Sequence, residues 1–340
     1  MQIRIVRTID EFDALANEWN ELHRSSASRV PFLRHEFLSA WWRTLGGGEW
    51  QHGELLVLTG HSEDGALRGA APLFLTKNLE GETALMLLGS SEIADYLDFL
   101  APTAALPEFV AALLDFLSSE AVPSWEVLDL YNLIENSPSM SILQAEAGRR
   151  GWEIVQHRLQ HCPYIPLPGD WETYLAGIDK KQRHEIRRKM RRAENYGLPV
   201  RWYIVSDSSR LEAEVDAFLD LMALDAKKQA FLTEPMRRQM RMVSRSAFAA
   251  GWLQLAFLEV DGVKAAGYLN FDDGRRIWVY NSGLDFNYSS LSPGWVLLGH
   301  LLQWANDNQR EAFDFMRGDE EYKYRFGGID RFVVRLKLRR

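Results

Sequence analysis

The sequence predicts a mixed α/β fold that is organised in two successive halves. A chain of 340 residues is longer than the ~250–300 residues over which a single hydrophobic core grows. Apolar runs typical of strands alternate along it with longer segments whose apolar residues recur at helical spacing. The order of these segments also repeats: each half gives a strand, two helices, a hairpin, a strand, a helix, a strand, a short helix and a last strand. We therefore expect one mixed sheet in each half, of α/β or α+β type, covered by helices.

The first half begins with a predicted strand at Gln2–Ile9 and a helix that Asp10 would cap. The segments that follow are the helix His35–Leu45, the strands Glu54–Thr59, Gly69–Thr76 and Ala84–Gly89, the helix Pro107–Ser118, the strand Trp125–Leu130, the helix Ser139–Arg150 and the strand Trp152–Arg158.

Three prolines (Pro163, Pro166 and Pro168) then follow closely on one another, which is typical of a linker. We place the domain boundary there, with one domain over 1–165 and the other over 166–340. The second domain begins with one long basic helix, Trp171–Tyr196. The later segments are the strand Leu198–Val205, the helices Ser208–Lys228 and Pro235–Ala250, the hairpin strands Trp252–Val260 and Val263–Asp272, the strand Arg275–Gly283, the helix Trp295–Asn308, the strand Glu311–Met316 and the strand Arg331–Leu338.

The composition bounds the functional classes. Hydrophobic residues make up 46% and charged residues 25% of the chain, which fits a soluble globular protein. The net charge of −8 disfavours nucleic acid as the default partner. With Cys162 as the only cysteine there is no disulfide framework within the chain, and no histidine cluster has metal-ligand spacing. No signal peptide and no apolar run of about 18 residues is visible, so we expect a bacterial-type cytoplasmic protein without a membrane span or a metal.

The segment from Arg275 to Gly328 has the features of a ligand site. Between its two predicted strands lies the loop Tyr288-Ser289-Ser290-Leu291-Ser292-Pro293-Gly294, which opens a helix. The first N–H groups of a helix lack intrahelical partners and attract anions. We therefore expect Ser290, Ser292 and Gly294 to contact a phosphate, together with Asn281 and Ser282 at the end of the preceding strand.

Candidate catalytic residues surround this loop in the sequence. Glu320 would serve as a general base, and Lys323, one helical turn on, would stabilise an oxyanion. The alternative for these two residues is a solvated ion pair on a helix surface. Tyr280 is a candidate acid, or else an edge tyrosine that packs its ring. Asp314 is a further candidate, or else a solvated carboxylate that points opposite Phe313 and Phe315.

Two further groups of residues are candidates for contacts with substrate. In the first half, Asp95, Tyr96 and Asp98 follow a strand and would bind a cationic or hydroxylated acceptor, or only cap a loop. In the second half, Arg325 lies in the same charged segment as Glu320. The predicted basic helix carries eight cations between residues 180 and 192, and it would either bind the phosphates of RNA, CoA or a nucleotide sugar or remain a solvated face.

Several motifs together resemble the GCN5-related N-acetyltransferase (GNAT) superfamily. In the second half these are Tyr280-Asn281-Ser282-Gly283, Ser292-Pro293-Gly294, Phe313-Asp314-Phe315, and Gly318-Asp319-Glu320 followed by Tyr322-Lys323 and Arg325-Phe326-Gly327. In the first half they are Pro31-Phe32-Leu33, Trp41-Trp42, Ala71-Pro72-Leu73, Leu88-Gly89-Ser90, Asp95-Tyr96-Leu97-Asp98-Phe99 and Cys162-Pro163-Tyr164-Ile165-Pro166-Leu167. The chain is most similar to double-domain acyltransferases associated with cellulose biosynthesis and to Fem-type peptidyl transferases.

The resemblance implies two tandem GNAT-like acyl-CoA N-acyltransferase domains. It implies direct transfer from acetyl-CoA or another acyl-CoA to an amine or hydroxyl, in the region of Asp95, Tyr96, Glu320 and Lys323. The acceptor would be a small molecule or saccharide, such as an exopolysaccharide precursor. In most GNAT enzymes the loop that opens the central helix carries a basic residue and two glycines, whereas this loop has one glycine and no basic residue at its start. Two alternatives therefore stay open: Fem-like transfer from aminoacyl-tRNA, with the basic helix contacting tRNA, and a binding module without catalysis.

Overall fold

The computed structural model of the chain describes all residues from Met1 to Arg340, and they form two compact units. The first unit contains Met1–Gln160 together with Phe332–Arg340, and the second contains His161–Arg331.

The elements of the first unit alternate as the sequence predicts. In chain order they are β1 (Gln2–Val6), α1 (Ile9–Ala14), α2 (Ala16–Ser25), α3 (His35–Gly48), β2 (Glu54–His61), β3 (Leu67–Lys77), β4 (Thr83–Leu87), α4 (Leu106–Leu117), β5 (Val127–Ile134), α5 (Pro138–Arg149) and β6 (Glu153–His161).

The elements of the second unit are more numerous, and a last strand follows them. They are β7 (Tyr164–Pro166), α6 (Trp171–Gly177), α7 (Lys180–Glu194), β8 (Val200–Ile204), α8 (Leu211–Met222), α9 (Ala226–Phe231), α10 (Glu234–Ala249), β9 (Leu253–Val260), β10 (Val263–Asp272), β11 (Arg276–Leu284), α11 (Pro293–Asp307), β12 (Ala312–Asp314) and α12 (Glu321–Arg325), and then β13 (Phe332–Arg339). None of the helices is both long and apolar enough to cross a lipid bilayer.

Each unit is built around one mixed sheet. The first sheet has the strand order β1-β2-β3-β4-β5-β13-β6, and the second has the order β7-β12-β11-β10-β9-β8. Each sheet contains one parallel pair, β4 with β5 and β11 with β12. In the second unit, α11 packs its apolar residues Leu297, Leu298 and Leu301 into the core beneath β10 and β11. Burial of such side chains supplies the main favourable free energy of folding.

The first helix begins earlier than predicted. Thr8, not Asp10, is its N-cap: the Thr8 hydroxyl accepts from the Glu11 N–H at 3.2 Å, and Glu11 accepts from the Thr8 N–H at 3.0 Å. Two backbone donors are satisfied by this capping box. The predicted hairpin turn at Asp261-Gly262 is confirmed, since both residues have positive φ, 49° and 79°.

Two predicted helices are interrupted by an aspartate. The helix expected over Trp171–Tyr196 breaks at Ile178, which is extended and buried, and Asp179 then caps α7 by accepting from Lys181 N–H at 2.9 Å. The helix expected over Ser208–Lys228 ends at Met222, and Asp225 caps α9 by accepting from Lys227 N–H at 2.9 Å. An aspartate side chain that bonds to the backbone two residues on starts a new helix instead of continuing the old one.

Two further segments differ from the prediction. The proline-rich segment is not a loose linker, because Tyr164–Pro166 forms β7 at the edge of the second sheet and Ile165 is buried. An edge position suits proline, which has no N–H to donate to a sheet. The last strand, β13, pairs antiparallel with β5 in the first sheet, so the fold is not a plain succession of a 1–165 and a 166–340 domain.

Candidate functional site

The parallel strands β11 and β12 separate at their carboxyl ends. They pair only from Arg276 opposite Ala312 to Trp278 opposite Asp314, where β12 ends. β11 continues to Leu284, and its register against β10 shifts at Tyr280, between the pairs Val279–Asn270 and Asn281–Leu269. The edge of β11 beyond Trp278 therefore has no strand beside it. Openings at the carboxyl ends of parallel strands are where open sheets bind their ligands.

Ser282 lies on this open edge. Its N–H donates to its neighbour's side chain, Asn281 Oδ1, at 3.1 Å. Its carbonyl oxygen accepts a hydrogen bond from Lys228 Nζ, which also lies 3.3 Å from Ser282 Oγ. The N–H and the carbonyl oxygen of Ser282 thus both bond to side chains, and a ligand could replace these side chains.

Lys228 reaches this edge from α9. Asp225 starts α9 and orients it, while the adjacent Lys227 stays exposed at the surface. Burial lowers the pKa of Lys228 below its ordinary value, and the charges of Asp225 and Glu320 oppose that shift. Lys228 is therefore a partly desolvated cation whose charge is favoured by two carboxylates, those of Asp225 and Glu320.

Glu320 and Lys323 lie in the charged segment after β12. Glu320 is more than half exposed, and its Oε2 lies 2.8 Å from Lys323 Nζ. Lys323 is almost completely buried and also donates to the carbonyl oxygens of Arg317 at 2.8 Å and Gly318 at 3.1 Å. These three partners use all three protons of its ammonium. The structure therefore gives Lys323 the position of an anchor for the 317–320 segment, whereas Glu320 has one carboxylate oxygen available to a ligand.

A buried tyrosine, Tyr268, and a partly buried one, Tyr322, lie close to Glu320. Burial, and then the charge of Glu320, raise the pKa of Tyr268 above its ordinary value. The pKa of Tyr322 is raised mainly by burial, with smaller effects of Tyr268 and Glu320. Tyr268 lies opposite Ser282 in the sheet. Both phenols stay protonated near neutral pH, so each is a neutral group that can donate and accept a hydrogen bond.

The loop that opens α11 meets a cation from another helix. Ser292, with φ 58°, is the N-cap, and its Oγ accepts from Lys189 Nζ of α7 at 3.0 Å. The same ammonium lies 4.3 Å from the ring centre of Trp295. Ser290 Oγ lies 3.4 Å from the hydroxyl of Tyr196. The basic residue that is absent from the loop sequence is therefore supplied by α7, beside the positive end of the α11 dipole.

Gly294 permits the close approach of this loop to β11. A Cβ at Gly294 would lie 2.7 Å from Leu284 Cδ2, at the end of β11. The start of α11 and the carboxyl end of β11 are thus packed directly together.

A groove of about 770 Å³ lies between α7 and α12. Its lining residues are Lys181, Gln182, His184, Glu185, Arg188, Glu321 and Arg325. Arg325 pairs with Glu321 and Arg188 pairs with Glu185, so part of the positive charge is neutralised within the groove. The structure brings Arg325 to the basic helix rather than to Glu320.

Sequence and structure comparisons identify the fold of this site. The model of the acetyltransferase (GNAT) domain family matches residues 180–324. Across 99% of this chain and 97% of the other, the structure is similar to FemX, with a TM-score of 0.66 and 12% identity. The chain has the fold of FemX, and the match to the GNAT domain family lies within its second unit. No curated protein matched the sequence.

Two other solved structures share this fold over nearly their full length. A conserved protein of unknown function from Bacteroides thetaiotaomicron aligns over 100% of both chains, with a TM-score of 0.60 and 13% identity. The C-terminal domain of a putative lysylphosphatidylglycerol synthetase from Agrobacterium fabrum aligns over 98% of this chain and 93% of its own, with a TM-score of 0.58 and 10% identity. At these identities the likeness establishes the fold and nothing finer.

The two other predicted catalytic residues of the second unit, Asp314 and Tyr280, contact neighbouring side chains. Asp314 is fully buried, pairs with Arg331, lies 3.7 Å from Arg276 and accepts from the Met316 N–H at 3.1 Å. It is neither solvated nor open to a ligand. Tyr280 packs its ring against Phe271, with ring centres 5.1 Å apart.

The predicted substrate residues of the first unit lie in its interior. Asp95, Tyr96 and Asp98 are all buried in the segment that follows β4, and Tyr96 has φ 56°. Burial raises the pKa of Asp98 to about 7, although hydrogen bonds from Ser139, the Phe99 N–H and Ser137 oppose the shift. Asp98 thus holds the backbone of its own loop. Nowhere in the chain do three or more histidine, cysteine, aspartate or glutamate side chains group as a metal site would require.

The sequence did not identify Lys228 as a candidate, and it indicated Lys189 only among the cations of the basic helix, not as a contact of the loop that opens α11. Lys189 is one of eight cations on the basic helix, and Lys228 ends a predicted amphipathic helix. The only local signals were Asp179 and Asp225, whose capping sets the direction of α7 and α9. Lys189 and Ser292 are 103 positions apart in the sequence, and Lys228 and Ser282 are 54 apart. A local sequence pattern cannot indicate such contacts.

Proposed function

We propose that the second GNAT unit transfers an acyl group from acetyl-CoA or another acyl-CoA to an amine or hydroxyl. The observation that carries this proposal is the contact of Lys228 with Ser282 at the open edge of β11, within reach of the charge of Glu320 and beside the anion-attracting start of α11. A general base, a cation and an anion site in one place are what acyl transfer from a phosphate-bearing donor needs.

In this proposal, the donor's phosphates bind at the start of α11. The N–H groups at Gly294 and the residues after it, the hydroxyls of Ser290 and Ser292 and the ammonium of Lys189 supply the contacts. The thioester then extends along β11, where the backbone of Ser282 and the side chain of Asn281 can bind it.

Glu320 accepts the proton of the attacking group. The acceptor nitrogen or oxygen forms a bond to the carbonyl carbon, and the carbonyl π electrons move to its oxygen. When this intermediate collapses, the C–S bond breaks and the departing thiolate takes the proton that Glu320 accepted. No covalent intermediate with the protein is required, because the acceptor attacks the donor directly.

For the acceptor we propose a saccharide of the cell envelope or of an exopolysaccharide such as cellulose. This part of the proposal rests on the resemblance of the sequence motifs to acyltransferases associated with cellulose biosynthesis. A hydroxylated or amine-bearing acceptor would also suit the pairing of an exposed carboxylate, Glu320, with neutral phenols.

A second candidate donor is aminoacyl-tRNA. Helix α7 favours it, because Lys180, Lys181, Arg191 and Arg192 add positive charge to the face that adjoins the groove with Arg325. Cations spaced along one helix suit a polyphosphate backbone. The extent of the likeness to FemX is compatible with this donor.

Calorimetry with acetyl-CoA, and separately with charged tRNA, tests the choice between the two donors. We expect acetyl-CoA to bind in the micromolar range, and thiol release in the presence of amines to fall at least 100-fold in Glu320→Gln. Asp319→Asn is the matched control, since Asp319 is the exposed neighbour of Glu320. Binding of tRNA without CoA would favour the second donor. If acetyl-CoA or tRNA binds but no amine or sugar is acylated, the chain would be a binding module without catalysis.

A further inference from the structure

We propose that Lys228 is a further catalytic residue of the second unit, whose ammonium contacts the carbonyl oxygen of the bound acyl group and stabilises the negative charge that develops there. This inference rests on the proposed acyl-transfer function. It assigns to Lys228 the role that the sequence pattern suggested for Lys323.

The geometry of Lys228 points its ammonium into the opening between β11 and β12. Its bonds to the carbonyl and hydroxyl of Ser282 lie on the edge of β11 that β12 leaves open. Both bonds go to one residue, so at least one ammonium proton is left for a ligand. An acyl group bound along this edge would bring its carbonyl oxygen next to Nζ of Lys228.

Lys323 is not placed to do this work. Its ammonium is surrounded by two carbonyl oxygens and by Glu320, and all its protons are used. To reach a ligand it would have to break contacts that hold the 317–320 segment. Lys228 needs to give up at most a hydrogen bond to Ser282.

The charged and titratable groups around Lys228 suit the role. On α9 the nearest is Asp225, and from the segment after β12 it is Glu320; Tyr268 of β10 and Tyr322 of α12 lie near Glu320 and stay neutral. A partly buried cation interacts more strongly with a developing oxyanion than an exposed one does, because less water screens the charge. Glu320 accepts the proton of the attacking group, and it does not take the ammonium proton that Lys228 offers to the oxyanion.

A purely structural role for Lys228 is the alternative that an experiment must separate. Helix α9 has no fully buried residue, so Lys228 could serve only to fasten it to the sheet. An anchoring residue would affect stability and donor binding, whereas an oxyanion contact would affect kcat and its pH dependence.

The test compares Lys228→Met, Lys228→Arg and the control Lys227→Met by thermal melting, CoA binding and thiol release with an amine acceptor. We expect Lys228→Met to bind CoA as the wild type does but to lose about 100-fold in kcat, and Lys227→Met to behave as the wild type. Lys228→Arg should recover part of the rate. Since burial lowers the pKa of Lys228, wild-type activity should fall at high pH as this lysine loses its proton, and Lys228→Arg should keep its activity to higher pH.

Each outcome decides a separate point. A wild-type chain that neither binds acyl-CoA nor releases thiol would overturn the proposed donor and reaction. A wild-type chain that turns over, with Lys228→Met within threefold of its kcat, would overturn the role of Lys228 alone. If the melting temperature and CoA binding fall together in Lys228→Met while kcat at saturating donor is kept, Lys228 is an anchor and the inference fails.

Discussion

Lys189 donates a hydrogen bond to Ser292 Oγ at 3.0 Å, and this contact joins the basic helix α7 to the start of α11. The two residues are 103 positions apart in the sequence. The loop that opens α11 lacks the basic residue usual in GNAT enzymes, and Lys189 restores a positive charge at the same place from outside the loop.

Replacement of Lys189 should weaken donor binding. A charge-assisted hydrogen bond is worth ~1.5–3 kcal/mol, so Lys189→Gln should raise the Kd for CoA about 10-fold or more. Calorimetry at two salt concentrations measures the change, and the salt dependence should also decrease. Lys227→Gln, on exposed α9 surface, is the control. An unchanged Kd in Lys189→Gln would mean that the donor phosphates bind elsewhere.

Substitution of Gly318 should disrupt the segment that carries Glu320. A Cβ at Gly318 would lie 2.4 Å from Glu320 Oε2 and 2.9 Å from Lys323 Nζ, at a φ of 112°. Gly318→Ala should therefore lower both the melting temperature and turnover. Gly274→Ala is a matched control, because Gly274 has a φ of 85° but open space around its Cβ position. Backbone strain of ~1–3 kcal/mol affects both variants, so only the excess loss in Gly318→Ala reports the clash.

Asp314 should matter for stability and not for the chemistry. Asp314→Asn leaves Arg331 and Arg276 without their buried carboxylate, and breaking a buried pair costs about 3–5 kcal/mol. We expect urea unfolding to show a loss at the lower end of this range, because Arg331 is partly exposed. Glu311→Gln, which removes an exposed partner of Arg275, should change stability by less than about 0.5 kcal/mol. A folded Asp314→Asn variant with normal stability and no turnover would return Asp314 to the catalytic group.

Asp98 should make the stability of the first unit depend on pH. Burial raises its pKa from 3.8 to about 7, so the folded state binds a proton that the unfolded state releases. The stabilisation from protonated Asp98 is complete below pH ~4 and is lost as the pH rises to about 7, with a slope of at most ~1.4 kcal/mol per pH unit. Urea unfolding between pH 4 and pH 8 measures this slope. The slope should decrease in Asp98→Asn, and an identical slope in both proteins would contradict the shift.

The order of strands and helices could be predicted because apolar spacing is a local property. The strand, loop, helix and strand from Arg276 to Asp314 were predicted in this way. The helix breaks at Asp179 and Asp225 were not predicted, because an aspartate on the polar side of an amphipathic pattern looks the same whether it caps a helix or lies within one. These two caps direct the helices that carry Lys189 and Lys228, so errors at the helix boundaries became omissions at the site.

The roles of Lys323, Asp314 and β13 depend on partners that apolar spacing does not show. The partners of Lys323 are backbone carbonyl groups, and those of Asp314 and β13 are distant in the sequence. In the sequence, Lys323 looks like an exposed residue on a helix surface. It is buried because residues 317–320 fold around its ammonium. The side of Asp314 was predicted correctly from strand alternation, but the presence of Arg331 on that side was not. The pairing of β13 with β5 joins residues about 200 positions apart.

The position of β13 has a consequence for the order in which the chain folds. This strand lies between β5 and β6 in the first sheet, although the whole second unit separates it from them in the sequence. During synthesis the first sheet therefore stays incomplete, with the facing edges of β5 and β6 unpaired, until Phe332–Arg339 leaves the ribosome. Unpaired edges invite association with other chains. A fragment that stops at Gln160 would keep these edges unpaired, because the first sheet cannot be completed without Phe332–Arg339.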